Sequence, residues 1–319
     1  MKVPSRLAVA SSPLWDVSLS GSPFEVHTGL YAGGGVAIEP TLPNPALLNP
    51  ALLNPVLLPA LLPERKPAKR IHAEVGHYRV RLAESVADRD AVCRLRFKVF
   101  NIELGKGLEA SYETGLDTDH FDLFCEHLLV EDKNDGRIVG TYRMQSGETA
   151  AANLGYYSQL EFDLTPYESL RGEVLELGRA AIDSDHRTPE VLTLLWRGIA
   201  QYATDMQLRY LIGCSSLNSV DPREGWQMFS QLGNYRVAAE LTTAPTADYV
   251  CPEPAPESDP GAEPAKVPKL LKTYLAIGAR ICSAPAWDRE FGTIDFLTLL
   301  DLRTISSSAR NRFLAPLTQ

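Results

Sequence analysis

Six charged side chains stand where charge is expensive. Arg96 lies in "RLRFKVF", Asp119 and Asp122 in "DHFD", Arg143 in "GTYRM", and Glu176 and Arg179 in "VLELGRAAID". Five of them have apolar neighbours, and an ion among apolar groups must be paired. Three acids and three arginines sum to zero, so one neutral network is expected. A carboxylate such as Glu176 can accept a proton. A guanidinium can grip a carboxylate through two parallel hydrogen bonds, and backbone N–H groups can hold an oxyanion. Glu176 and Arg179 are three residues apart and would face opposite sides of a regular strand. A bulge eased by Gly178 would turn both towards one cleft. Separate salt bridges on a rim are the competing reading of the same spacing.

Two other clusters invite chemistry and are set aside. Cys125 and His127 share a strand face, the arrangement of a nucleophile and its base, yet a sheet residue beside an edge histidine explains them as well. Asp183, Asp185 and His186 in "DSDHR" have metal-ligand types, but such loop clusters are usually solvated, and no metal is expected.

The elements that must position these residues are legible from pattern. "YRVRLA" alternates as a strand and opens the ordered domain near Tyr78. Ser85, with Asp88 three residues on, starts a helix that carries Val92, Leu95 and Val99 on one face to about Glu103. "EHLLVED" and "RIVGTYRM" form a hairpin through "KNDG". Residues 174–182 are a buried strand, followed by a helix from Pro189 to about Met206. "LRYLIGCSSL" is a strand, and "PREGWQMFSQLG" a helix closed by Gly233. "PKLLKTYLAIGA" is a helix and "TIDFLTLLDL" the final strand. The fold class is α/β, a mixed central sheet flanked by helices.

The 319 residues carry a net charge of −9, which excludes a nucleic-acid partner needing a basic face. Five scattered cysteines, with no C-x-x-C pair, speak for a reducing compartment. Residues 1–70 read as a disordered extension rich in Pro, Gly and Ser, and 71–319 as the domain. The pentad repeat over 43–63 is uncharged for the length of a membrane span, but Pro45, Pro50, Pro55 and Pro59 favour a stiff extended linker. The basic cluster Arg65, Lys66, Lys69 and Arg70 that follows suits either an anionic membrane surface or a solvated linker end. Residues 243–267, Pro-rich and acidic, are expected to be a disordered insertion.

"LRFKVF", "DTDHFD…CEHLLVED", "GRIVGTYRM", "GYYSQLEFDL" and "VLELGRAAID" resemble, in this order, the acyl-carrier-protein-dependent N-acyltransferases of the GNAT superfamily. The skeleton is shared with acyl-homoserine-lactone synthases. The later segments, "REGWQMFSQL" and "PKLLKTYLAIGARICSAPAWDREFGTIDFLTLLDL", look more like the L-ornithine Nα-acyltransferase branch. The resemblance covers about residues 78–314.

It implies a GNAT-like fold and transfer of a long-chain 3-hydroxyacyl group from acyl carrier protein to the α-amine of an amino acid, most simply ornithine. The donor would be a 4'-phosphopantetheine thioester, with no separate cofactor. Glu176, Arg179 and Asp122 would be catalytic, and Arg96, Phe100, Asp119 and Arg143 would bind substrate; Asp119 and Asp122 could instead hold an acceptor's second amine. Acetyl-CoA-dependent relatives carry a glycine-rich pyrophosphate loop where this chain has "SDHRTPE". Ser184, Arg187 and Thr188 would there meet the carrier protein. The implied place is the cytoplasm, peripheral to the inner membrane that takes up the product. An autoinducer synthase using S-adenosylmethionine and a non-catalytic acyl-binding protein are the alternatives.

Overall fold

The computed structural model describes residues 71–254 and 265–313. The expected extension over 1–70, with its Leu/Pro repeat, lies outside the described residues. Among the described residues nine strands form one sheet: β1 (His72–Val75), β2 (Tyr78–Leu82), β3 (Glu126–Asp132), β4 (Ile138–Ser146), β5 (Val174–Ile182), β6 (Tyr210–Leu217), β7 (Arg280–Ile281), β8 (Ala286–Asp288) and β9 (Thr293–Asp301). Their order is β1-β2-β3-β4-β5-β6-β9-β7, with β8 also on β9. Every pairing is antiparallel except β5–β6, which is parallel. This is the mixed sheet that the pattern predicts. Order begins before Tyr78, because Gly76, at φ 59, lets His72–Val75 fold back on β2 as a hairpin.

Four main helices flank the sheet: α1 (Val86–Phe97), α2 (Pro189–Asp205), α3 (Pro222–Gln231) and α4 (Lys269–Ile277). Ser85 accepts from the Asp88 amide while the Asp88 carboxylate accepts from the Ser85 amide, a complete capping box for α1. The helical path continues to Glu103 through a wider turn over Lys98–Glu103. The stripe Val191, Leu194, Leu195 and Ile199 of α2 is buried against Val80, Leu128, Met144 and Leu175. Helix α1 covers the opposite face with Leu95 and Val99 against Ala181. Helix α3 ends at Gln231, and Gly233 starts a short 3-10 turn instead of closing it.

Residues 243–254 are ordered, unlike the disordered insertion expected over 243–267. Thr243 and Val250 make bridges to Ser283 and Ala286, and Cys251 is buried. The edge groups around β8 supply backbone partners that composition does not reveal. Residues 255–264 lie outside the described residues.

The feature that shapes the molecule lies at β5. It pairs with β6 only over Val174–Glu176, then leaves it while staying on β4. Thr141 stands opposite Ala181 and Arg143 opposite Gly178, so Tyr142 faces two residues and β5 carries a bulge. The residue in the left-handed region is Arg179 itself, at φ 47, rather than Gly178. Where the strands begin to part, Gly213 of β6 lies so close that an added Cβ would stand 2.2 Å from the Leu177 carbonyl oxygen. A side chain there would push the strands apart before the last paired residues. Gly213→Ala should cost about 1–3 kcal/mol of stability in urea unfolding. A cost under about 0.5 kcal/mol, the range of an ordinary surface change, would show that the close approach is not required.

Candidate active site

Arg96 is buried on α1 and must find anions. Its Nη1 and Nη2 donate to the two Asp122 oxygens at 2.8 and 2.9 Å, and its Nε donates to Asp117 at 2.7 Å. Arg143 on β4 donates to Asp119 at 2.5 Å and Asp122 at 3.2 Å. Arg179, on the bulge, donates to Asp119 at 3.2 Å and lies 3.4 Å from Asp117. The 117–122 turn thus binds α1, β4 and β5 together. Asp119 and Asp122 also cap it, each accepting a backbone N–H from within the turn. Burial alone would raise the Asp122 carboxyl; the charges of Arg96 and Arg143 outweigh it and hold it well below the carboxylate range. Asp119 is lowered too, burial being outweighed by Arg143 and Arg179.

The network is three acids and three arginines, with one substitution in the expected membership. Asp117, fully buried, takes the place given to Glu176. Spacing announces a charge and not its partner. Glu176 turns away from the arginines and accepts from the Tyr157 and Ser158 amides at 2.9 and 2.7 Å. Burial raises its pKa against those hydrogen bonds, as suits a base.

The parting of β5 and β6 opens a cleft of about 270 Å³. Because side chains alternate along strands, it has two chemistries. On one face stand Glu176, Arg143, Arg179 and Tyr157; on the other, Leu177, Leu211, Trp196, Tyr274 and Leu300. Phe100 joins the lining, with its ring edge-on to Phe291 at 5.4 Å. The Tyr157 ring lies 5.1 Å from the Arg143 guanidinium and 4.7 Å from that of Arg179, which holds both towards the cleft. Nη2 of Arg143 is buried with no hydrogen-bond partner among the described residues. A free donor beside a base and an apolar channel can take an acceptor's carboxylate.

Other expected site residues do not reach the cleft. Arg96, Asp119 and Asp122 lie outside its lining; Asp122 is held by Arg96 and Arg143, and Asp119 by Arg143 and Arg179. Ser184 and Arg187 are exposed on the loop after β5, Thr188 is half-buried, and all three lie outside the lining. Thr188 accepts from the Val191 amide as the cap of α2, and Arg187 pairs with Glu103. The Cys125 thiol, pushed up to about 12 by burial, donates to Gln145, and burial lowers His127 to about 4. That pair is packing. Asp183 is held by Lys98 and His186 by Tyr78, so the "DSDHR" groups serve separate partners.

Sequence reasoning passed over Ser158, whose amide supports Glu176, and Asp295, an acid inside the apolar run "TIDFLTLL" that lines the cleft. Only the latter left a signal, the isolated inward charge.

The chain has relatives among known proteins. An acetyltransferase (GNAT) domain family matches residues 95–197. The L-ornithine N(alpha)-acyltransferase of Rhodobacter capsulatus is 31% identical over 245 residues, covering 73% of this chain and 93% of that protein. The L-ornithine N(alpha)-acyltransferase of Brucella abortus is 33% identical over 251 residues, covering 74% and 89%. Among solved structures, the AHL synthase LasI shares 12% identity at a TM-score of 0.45, over 77% of this chain and 100% of that one.

Removing the Arg96 guanidinium would take from Asp117 and Asp122 their shortest ion pairs. Arg96→Met should therefore destabilise by about 3–5 kcal/mol, read from the denaturant midpoint. A loss below about 1 kcal/mol, the worth of an exposed pair, would mean that the network does not hold the turn. Asp119 and Asp122 have lowered folded pKa values, so their contribution is full above the unfolded carboxyl pKa and is lost as pH falls through the folded values.

Proposed function

The chain belongs to the L-ornithine N(alpha)-acyltransferase family and is an acyltransferase, and on that premise we propose that it moves a long-chain, 3-hydroxylated acyl group from acyl carrier protein to the α-amine of ornithine. The observation that carries this reading is the two-sided cleft through the sheet. Joining an apolar chain to a charged amino acid needs an apolar wall and a polar wall at one reaction point. The acyl chain runs under α2 and α4 beside Leu211, Trp196 and Tyr274. The thioester carbonyl lies where β5 leaves β6, and backbone N–H groups released from pairing there hold its oxyanion. The acceptor's carboxylate sits on Arg143 and Arg179. Glu176, directly or through a water, takes the ammonium proton; the freed amine adds to the carbonyl, and the thiol leaves. Its raised pKa brings it nearer to the amine it must deprotonate.

The carrier-protein donor is supported by the loop at 183–188. At the start of α2, Thr188 takes the Val191 and Leu192 amides and the Glu190 carboxylate takes its own. These bonds leave fewer open amides at the helix start for a pyrophosphate. Ser184 and Arg187 are exposed, where an acidic carrier would meet them. The product is an amphiphile, so release at the inner-membrane surface follows from its chemistry. Among the described residues no helix is long and apolar enough to cross a membrane.

The purified chain should acylate ornithine from a 3-hydroxyacyl thioester of acyl carrier protein at least about tenfold faster than from the CoA thioester of the same chain, a difference near 1.4 kcal/mol. Equal or better use of CoA would discard the carrier reading. Glu176→Gln should lower kcat by about 10²–10⁴-fold, and an unchanged rate would remove Glu176 as the base.

A further inference from the structure

A second group of acids lies beside the polar wall of the cleft. Ligand atoms of Glu161, Cys214 and Asp295 all come within 4.8 Å of one another. Glu161 is 1% exposed, and neither of its carboxylate oxygens has a hydrogen-bond partner among the described residues; Asp295 Oδ1 is also unpartnered. Unlike Asp117, Asp119 and Asp122, these acids have no arginine partner among the described residues. Burial raises Glu161 well above the carboxylate range, with the charges of Asp295 and Asp288 adding to it, and Asp295 is raised to about 6, chiefly by burial. Leaving buried carboxylates without a cation costs stability. That cost suits a site completed by a cationic ligand.

The position fits one such ligand. Asp295, Asp288 and Cys214 line the cleft, and Glu161 lies next to them, within 4.8 Å of Asp295 and Cys214. The Ser158 amide donates to Glu176 at 2.7 Å, and the Ser158 hydroxyl accepts from the Cys214 thiol at 3.5 Å. Two hydrogen-bonded steps therefore lead from the base to Cys214, whose thiol lies within 4.8 Å of the acid pair, so a short methylene chain would join the two places. Burial and the neighbouring acids hold the Cys214 thiol well above its ordinary pKa, so it offers a neutral S–H rather than the thiolate a transition metal takes. We propose that Glu161 and Asp295 form the subsite for the acceptor's side-chain ammonium, so that this pair selects a diamino acid over a neutral amino acid. The inference rests on the proposed acylation of ornithine for its choice of ligand. Binding of the ammonium displaces the proton that the pair holds when the site is empty, leaving two carboxylates around one cation.

Calorimetry on the full chain, with a nonreactive long-chain acyl-pantetheine thioether present, tests the subsite apart from the reaction. The ligands are ornithine and norvaline, the same carbon chain without the terminal amine. Ornithine should bind about 10–100-fold more tightly, the worth of charge-assisted hydrogen bonds. Its binding enthalpy should vary with the buffer's ionisation enthalpy as the proton leaves, and that of norvaline should not. Glu161→Gln and Asp295→Asn should each shrink the preference by about tenfold or more, with norvaline binding as the measure of an intact cleft. Equal binding of the two ligands, or a preference that survives both substitutions, would overturn the proposal. So would a stoichiometric divalent metal in the purified protein that Asp295→Asn removes. Selective ornithine binding without acylation would uphold the subsite and overturn the proposed reaction.

Discussion

A guanidinium cannot give up its proton in a protein, and this fold buries three of them. Arg96, Arg143 and Arg179 come from α1, β4 and β5, so carboxylates must meet all three elements at once. The 117–122 turn does this with Asp117, Asp119 and Asp122. The turn becomes a clamp whose position is fixed by charge rather than by apolar packing. Its consequence for chemistry is indirect: Arg143 and Arg179 are fixed from behind, so they present to the cleft without first being ordered by a ligand.

The parting of β5 from β6 is the second half of the same construction. The bulge at Arg179 lets one strand serve the clamp with that residue and the cleft with Glu176. Gly213 keeps β6 close up to the point of departure. The resulting opening joins the two faces of the sheet, which strand alternation has already made polar on one side and apolar on the other. The acids divide in the same way. Those of the clamp are neutralised and stabilise the fold, while Glu176, Glu161 and Asp295 have no ion-pair partner among the described residues and raised pKa values. Strain of that kind gathers where a ligand is to be met.

Much of this was legible in the sequence. The α1 cap, the β3–β4 hairpin, strand β5 and the start of α2 follow from Ser85 and Asp88, "KNDG", the apolar run at 174–182, and Thr188–Pro189. Five of the six grouped charges belong to one network. Glu176 does not, because spacing cannot distinguish an arginine partner from backbone amides brought in by the turn at Tyr157–Gln159. Asp117, two residues before Asp119, went unread since nothing local sets it apart. Strand β1 was too short to show alternation, and residues 243–254 were masked by a composition that elsewhere means disorder. The Glu161–Asp295 pair joins residues 134 apart in sequence, a proximity that only the folded sheet creates.

The central claim is that the acyl chain crosses the sheet at β5–β6 and lies on its apolar face. A thioester donor with a photoreactive diazirine at the far end of its chain tests this most directly, by mapping the adducts after irradiation without an acceptor. The account predicts adducts on the apolar wall, at Trp196, Leu211, Leu271 or Tyr274. Adducts confined to Tyr157 and Phe291 on the polar face, or falling outside the cleft, would contradict it.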